Sequence, residues 1–398
     1  MPTVLVLDGQ SGPALAITRS LGRAGWRVLA AEGTRSARSR FSEAQTLADA
    51  VYPEDFRGTL AALLGREQVD VIAPCTDASV AGVWSNAALL NGAQILGGDR
   101  RSAALYVDKA RTLAAADEHG FPTPRWVSPK NRDEAVAAAE RFGYPVAIKP
   151  ICSYVADGPR LRHRRHVVIT DRDGIDDALT ALSGPGTALP IVQEFVPGRA
   201  LAVTAVLHRG AVLAMVARET LSFSPVSGGT SVWKRTIAPN EPGVQEAVQL
   251  LQALQYEGLA EVEYQVGRDG TPRLMEIGVR AHGWIGLATA AGVDLPLIAA
   301  SVLVGATVDT PQAYRVGVEM RWLAGEISRL RVALSAHPQL PPDVTRGNVL
   351  RTAWPPWRPG MRYDGLELGD MGPWLSLRGR RRDGTAEPDG DALPTGVS

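Results

Sequence analysis

The sequence predicts an α/β protein: an N-terminal parallel sheet with crossover helices, followed by a region of mixed α+β character. Three observations carry that expectation. Over the first hundred residues short β-branched runs alternate with helical patterns; after about Asp108 strands joined by short turns replace that rhythm; and an acidic strand pair, GLAEVEYQV and RLMEIGVR, closes the second region.

The first strand is VLVLD (4–8), followed by a helix from about Pro13 to Ala24, the strand RVLAAE (27–32), a helix around 55–66 and the strand VDVIAPC (69–75). The turn DGQSGPAL (8–15) lacks the third glycine of a dinucleotide fingerprint, so it reads as a tight strand-to-helix turn. DKARTLAAADEHGFPTP is an amphipathic helix stopped by Gly120 and Pro122. A helix over 131–142 then leads into PVAIKP, which places Lys149 at a strand end, its direction fixed by the preceding apolar run and by Pro150. IVQEFVPG (191–198), two strands joined by a His-Arg-Gly turn (201–217), a helix over 243–255 and the acidic hairpin with its GRDG turn complete the pattern. From 311 onward the pattern is less regular, and 380–398 reads as a disordered tail.

With 42 basic and 42 acidic residues the formal net charge is zero, so no global field draws the chain to nucleic acid or an anionic membrane. The expected partners are small molecules. Cys75 and Cys152 belong to no CxxC or Cys/His cluster, which argues against structural zinc and fits a reducing compartment. The longest apolar stretch, LPLIAASVLVGA (295–306), is too short to span a bilayer, and a cytoplasmic location is expected.

Alternation places Glu261, Glu263 and Gln265 on one face of their strand, with Glu276 on the neighbouring strand. Clustered carboxylates repel unless a cation sits between them. The segment CSYVADGPRLRHRRHVV holds four arginines and two histidines between 160 and 166, with Arg160, Arg162 and Arg164 alternating to one side. It reads equally as a solvated basic edge strand and as a charge cluster for phosphate or an acidic substrate.

In their order, DKA (108–110), AIKP (147–150), QEFVPG (193–198), GGTSVWKR (228–235) and the acidic pair ending EIGVR resemble the ATP-grasp superfamily, particularly its carboxylate-amine ligases. The resemblance runs to roughly residue 325. It implies a pre-ATP-grasp domain (1–106), ATP-grasp subdomains over 107–190 and 191–325, and a C-terminal extension (326–379) before the tail. Lys109 and Lys149 would contact ATP phosphates, and Gln193, Glu194 and Val196 would lie in the linker that binds adenine, mainly through backbone groups of Glu194 and Val196. Ala200 stands where the family often carries a ribose-binding acid, so that contact falls elsewhere, Glu194 being the candidate, or is weaker.

Glu263 and Glu276 match the family's magnesium ligands, manganese being an alternative ion, whereas Gly278 and Val279 stand where asparagine and proline are usual. One ligand is therefore missing, which would weaken binding of a cation that commonly relies on one or two carboxylates plus phosphates. Arg280 suits the transferring phosphoryl group or the substrate carboxylate, Lys234 and Arg235 would stand near the anionic intermediate, and His282 with Trp284 would line the acceptor pocket, Trp284 being equally suited to core packing. The implied reaction joins a small-molecule carboxylate and an amine, amino acids among them, through an acyl phosphate with release of ADP and phosphate. A related carboxylating or carbamoyl-transferring enzyme and a non-catalytic nucleotide-binding relative are the alternatives. A homodimer is compatible with each.

Overall fold

The structure is a computed structural model that describes residues 1–184, 186–226, 229–311, 313–335, 344–354 and 361–379. The tail expected over 380–398 lies outside the described residues.

The first unit alternates β1 (Thr3–Val6), α1 (Gly12–Arg23), β2 (Arg27–Ala31), β3 (Glu43–Gln45), α2 (Pro53–Arg66), β4 (Val71–Ala73), α3 (Asp77–Ser85) and β5 (Gln94–Ile95). The strands pair in parallel in the order β3-β2-β1-β4-β5. After β3 the chain crosses to the other side of β1, so a crevice opens at the carboxyl ends of β1 and β4. Asp8 closes its floor from a left-handed backbone (φ 53°), accepting from the Cys75 N–H at 2.8 Å and Ser79 Oγ at 2.6 Å. The turn after Asp8 is the tight turn read from the sequence, with Ser11 capping α1.

Helices α4 (Arg100–Tyr106) and α5 (Lys109–Glu118) lead into β6 (Trp126–Val127), α6 (Arg132–Phe142), β7 (Val146–Lys149), the hairpin β8 (Tyr154–Asp157) and β9 (Arg160–His163), then β10 (Val167–Ile169), α7 (Gly174–Leu182) and β11 (Ile191–Glu194). The antiparallel sheet β10-β7-β11-β6 buries Val146, Ile148 and Val192 against α6 and α7. Alternation therefore turns Ala147, Lys149 and Gln193 to the opposite face.

The third unit comprises β12 (Gly198–His208), β13 (Ala211–Ser224), β14 (Thr230–Thr236), α8 (Val244–Ala253), β15 (Gly258–Gly267), β16 (Pro272–Gly278), α9 (Ile285–Ala291), α10 (Leu295–Leu303) and β17 (Glu319–Arg321), followed by α11 (Leu323–Leu334), α12 (Arg346–Ala353), β18 (Arg362–Tyr363) and α13 (Gly372–Gly379). Its seven strands run in the order β16-β15-β12-β13-β14-β17-β18. Leu201 and Val203 pack with α8 on one face, whereas Ala202 and Val216 pack with α9 and α10 on the other. Residues beyond 325, read from the sequence as an extension, add β18 to this sheet and return to α1, where the buried Asp370 accepts from Arg19 Nε at 2.8 Å. The apolar stretch from 295 forms the buried α10; no helix among the described residues is long and apolar enough to cross a membrane.

Candidate functional site

Lys149 ends β7 on the face turned away from α6 and α7, and its Nζ reaches Met275 Sδ on β16 at 3.8 Å, so the second and third sheets meet across a cleft. Burial, opposed by Glu276 and reinforced by Lys109, brings the Lys149 ammonium down to about 8, with Glu263 also acting to retain its charge. Two lysines and two carboxylates from three stretches of chain thus share one electrostatic neighbourhood. Lys109 opens α5 behind the capping residue Asp108, and its Nζ donates to Ser153 Oγ at 2.9 Å, just before the β8–β9 hairpin.

The acidic side of the cleft follows from strand register. Glu263 pairs with Glu276 and Glu261 with Gly278 across β15 and β16, while Ala202 on β12 lies between Glu263 and Arg218 of β13. Because Ala202 is small, Arg218 Nη2 reaches Glu261 at 3.3 Å and Glu263 at 3.5 Å. Glu261 is buried and also bound by Trp284 Nε1 and His282 Nδ1. Burial alone would raise its carboxyl, but His282 and then Arg218 outweigh that and pull it down to about 2. Glu263 goes the other way: withdrawal from bulk water and the charge of Glu261, opposed by Arg218, push it up to about 7, although 44% of its side chain is open to the cleft. Unlike charges hold one carboxylate ionised while like charges resist the second.

Arg280 extends from the end of β16 to the first unit. Its Nε donates to Asp77 at 2.6 Å, and Nη1 to the carbonyl of Cys75 at 3.4 Å. Burial would raise the Asp77 carboxyl, yet Arg280 and Lys109 hold it well below the usual carboxylate range. The crevice at the ends of β1 and β4 therefore opens onto the same cleft. A close approach makes this possible: a Cβ on Gly97, just after β5, would lie 2.3 Å from the Val279 carbonyl, which only glycine tolerates.

Several residues expected at the site stand elsewhere. Glu194 shares the helix-facing side of β11 with Val192, and its carboxylate accepts from Arg125 Nε at 2.7 Å, which turns it away from a ribose. Gln193, its neighbour, is buried on the cleft side with Nε2 unpartnered, and Val196 is half-buried in the linker between β11 and β12. Lys234 is buried and donates to the Gly283 carbonyl at 2.8 Å, bracing the 280–284 turn rather than facing the open cleft. Arg235 points to the other face of the sheet, where its Nε donates to Glu219 at 3.0 Å. His282 lies against Glu261 beneath Gly278 instead of lining an acceptor pocket, and Trp284 is core, with the Arg218 guanidinium 5.3 Å from its ring centroid.

The basic segment forms a two-stranded hairpin outside the larger sheets, and the Leu161 N–H donates to the Val51 carbonyl of the first unit at 2.7 Å. Arg162 pairs with Asp157 at 2.5 Å. His166 is pushed down by withdrawal from bulk water and then by Lys149 and Lys109, so the segment reaches the edge of the lysine pair. Both free cysteines lie near this edge, Cys75 buried and Cys152 half-buried.

The donor set suits a hard divalent cation carried by phosphates: two facing carboxylates, Glu263 and Glu276, and the buried, unpartnered Nε2 of His282. Among the described residues no three His, Cys, Asp or Glu side chains already surround a common point. The residues fit an ion completed by phosphate oxygens and not a closed protein cage.

Residues 188–326 match the family described as ATP-grasp in the biosynthetic pathway with Ter operon. The chain is 25% identical over 194 residues to the carbamoyl phosphate synthase large chain of Pyrococcus furiosus, covering 48% of this chain and 18% of that protein. It is 31% identical over 212 residues to the formate-dependent phosphoribosylglycinamide formyltransferase of Ignicoccus hospitalis, half of each chain. Among solved structures, a Campylobacter jejuni biotin carboxylase complex superposes with TM-score 0.63 at 15% identity, covering 80% of this chain and 74% of that one. The Staphylococcus aureus N5-carboxyaminoimidazole synthetase gives 0.60 at 16% identity, covering 80% of each. Two sheets close on a lysine and carboxylate cleft behind an N-terminal parallel sheet, and over residues 188–326 the chain matches an ATP-grasp family.

Proposed function

We propose that the protein is an ADP-forming, ATP-dependent ligase that activates a carboxylate as its acyl phosphate and joins it to an amine nitrogen. The observation that supports this most is the convergence of Lys109, Lys149, Glu263, Glu276 and Arg280, drawn from separate elements, on one cleft. In this reading Lys149 and Lys109 hold nucleotide phosphates as compact cations, with the linker around Val196 against the base. Glu263 and Glu276 hold magnesium, or manganese in its place, which when bound neutralises phosphate charge. Arg280, oriented by Asp77, offers its remaining donors to the transferring phosphoryl group or to the substrate carboxylate.

The carboxylate oxygen attacks the γ-phosphorus and the bond to ADP breaks; the amine lone pair then attacks the acyl carbon, phosphate leaves, and the nitrogen gives up a proton. Positioning and charge stabilisation suffice for such transfer, consistent with a site of lysines, arginines and carboxylates. A second reading, with bicarbonate as the carboxylate, is supported by the names of the relatives, which include carbamoyl phosphate synthases, a biotin carboxylase and a carboxyaminoimidazole synthetase. A screen of carboxylates and amines that monitors ADP release tests both. Turnover dependent on an organic carboxylate supports amide formation, dependence on bicarbonate supports carboxylation, and AMP with pyrophosphate contradicts both.

A further inference from the structure

Strand β16 has no side chain at 278, yet the space that one would fill is taken. A Cβ built on Gly278 would lie 2.2 Å from Cε1 and 2.6 Å from Nε2 of His282. Standard bond lengths put an asparagine carbonyl oxygen about 2.4 Å from its own Cβ. Nε2 therefore stands about as far from that point as an asparagine's ligating oxygen would.

Alternation puts position 278 on the same face as Glu276, and register sets both opposite Glu261 and Glu263. Glu261, itself fixed by Arg218 at 3.3 Å and by Trp284 Nε1, engages Nδ1 of His282. A carboxylate beside one ring nitrogen favours the proton there and the lone pair on the other, which is the arrangement of ligating histidines. That other nitrogen, Nε2, is buried with no hydrogen-bond partner. Such an atom is expected to have a partner when the site is filled.

We infer that His282 supplies, through Nε2, the third protein ligand of the nucleotide-associated cation, in the place that Gly278 leaves vacant, beside Glu263 and Glu276. This rests on the reading that a divalent cation binds there with the nucleotide. Since the three groups do not already share a centre, the cleft-exposed Glu263 is the member with freedom to move. An imidazole in place of an amide oxygen shifts preference from magnesium towards manganese and cobalt, which accept nitrogen more readily. It also makes Gly278→Asn alone a clash with His282, whereas Gly278→Asn combined with His282→Ala returns an oxygen ligand to open space.

The test is pulsed electron paramagnetic resonance on the full chain with manganese(II) and ADP. Wild type should show a 14N coupling typical of imidazole, which becomes a 15N coupling when only histidine is 15N-labelled. His282→Ala should lose the coupling and bind manganese about tenfold or more weakly; the double variant should recover affinity without the coupling. Bound manganese with no histidine nitrogen coupling in wild type overturns the assignment, as does a coupling that persists in His282→Ala. If manganese and ADP give no bound ion at all, the metal reading beneath it falls as well, and the ratio of free to bound signal tells the two failures apart.

Discussion

The two faces of the seven-stranded sheet carry the same residue types to opposite ends. On one face Glu219 lies between Arg235, whose Nε is 3.0 Å away, and Arg199 at 3.6 Å, and both arginines are close to half exposed. On the other, Glu261, Glu263 and Glu276 crowd together with Arg218, and Lys149 faces them across the cleft. On the first face a single buried carboxylate is balanced by two arginines that stay in contact with water. The second is recessed and unevenly balanced, which is why Glu261 is pulled down to about 2 while Glu263 is pushed up to about 7. Charge balance, and not residue type or burial alone, separates the two faces, since Glu219 is more buried than Glu263 (side chains 10% and 44% exposed) yet is paired by two arginines.

The largest expected effect comes from unbalancing the recessed face. Arg218→Met should leave the buried Glu261 with less compensation and destabilise the fold by about 3–5 kcal/mol, read as a lowered urea midpoint. A loss below about 1 kcal/mol would make the two faces equivalent. Next is Glu276→Gln, which removes a carboxylate but no buried pair. Turnover should fall roughly hundredfold or more while nucleotide affinity changes less, because charge stabilisation matters most in the transition state.

Lys149→Ala should weaken ATP binding about tenfold in calorimetry, as for a lost charge-assisted contact. Since the Lys149 value is lowered to about 8, the ammonium is present below that pH and lost above it. Affinity should decline as pH rises through about 8, and Lys149→Arg, which stays charged, should abolish that decline. For stability the sign reverses. The unfolded chain, with its ordinary value of 10.5, binds more protons between about 8 and 10.5, so this group makes stability rise with pH over that window. The smallest effect is expected from Arg235→Met on the outer face, under about 1 kcal/mol in the same urea experiment, because the half-exposed Arg199 still pairs Glu219.

Much of this site was legible because it is written in strand alternation. Glu261, Glu263 and Glu276 follow from period two and a short hairpin, and Lys149 from an apolar run ended by proline. The assignment of both Lys234 and Arg235 to one site ran against that same rule, since neighbours on a strand face opposite ways. The Glu194 side chain turns from the cleft for a related reason, which bears on the ribose contact and not on its backbone groups: the pairing of β11 with β7 places Val192 and Glu194 together on the helix face. Arg218 and Asp77 carry no local signal; each reaches the cleft through register or domain packing that links residues more than 40 positions apart. Gly278 was read as a missing ligand, and the return of His282 to its vacant side is a tertiary fact.

The most direct test of the central claim is a joint calorimetric titration of magnesium and ATP into wild type and the Glu263→Gln, Glu276→Gln double variant. The recessed carboxylates should make ATP binding magnesium-dependent in wild type, while the double variant retains the lysine-borne part of the affinity and loses the magnesium dependence. Equal magnesium dependence in the two proteins would contradict the account and move the cation, if one binds, away from the acidic strand pair.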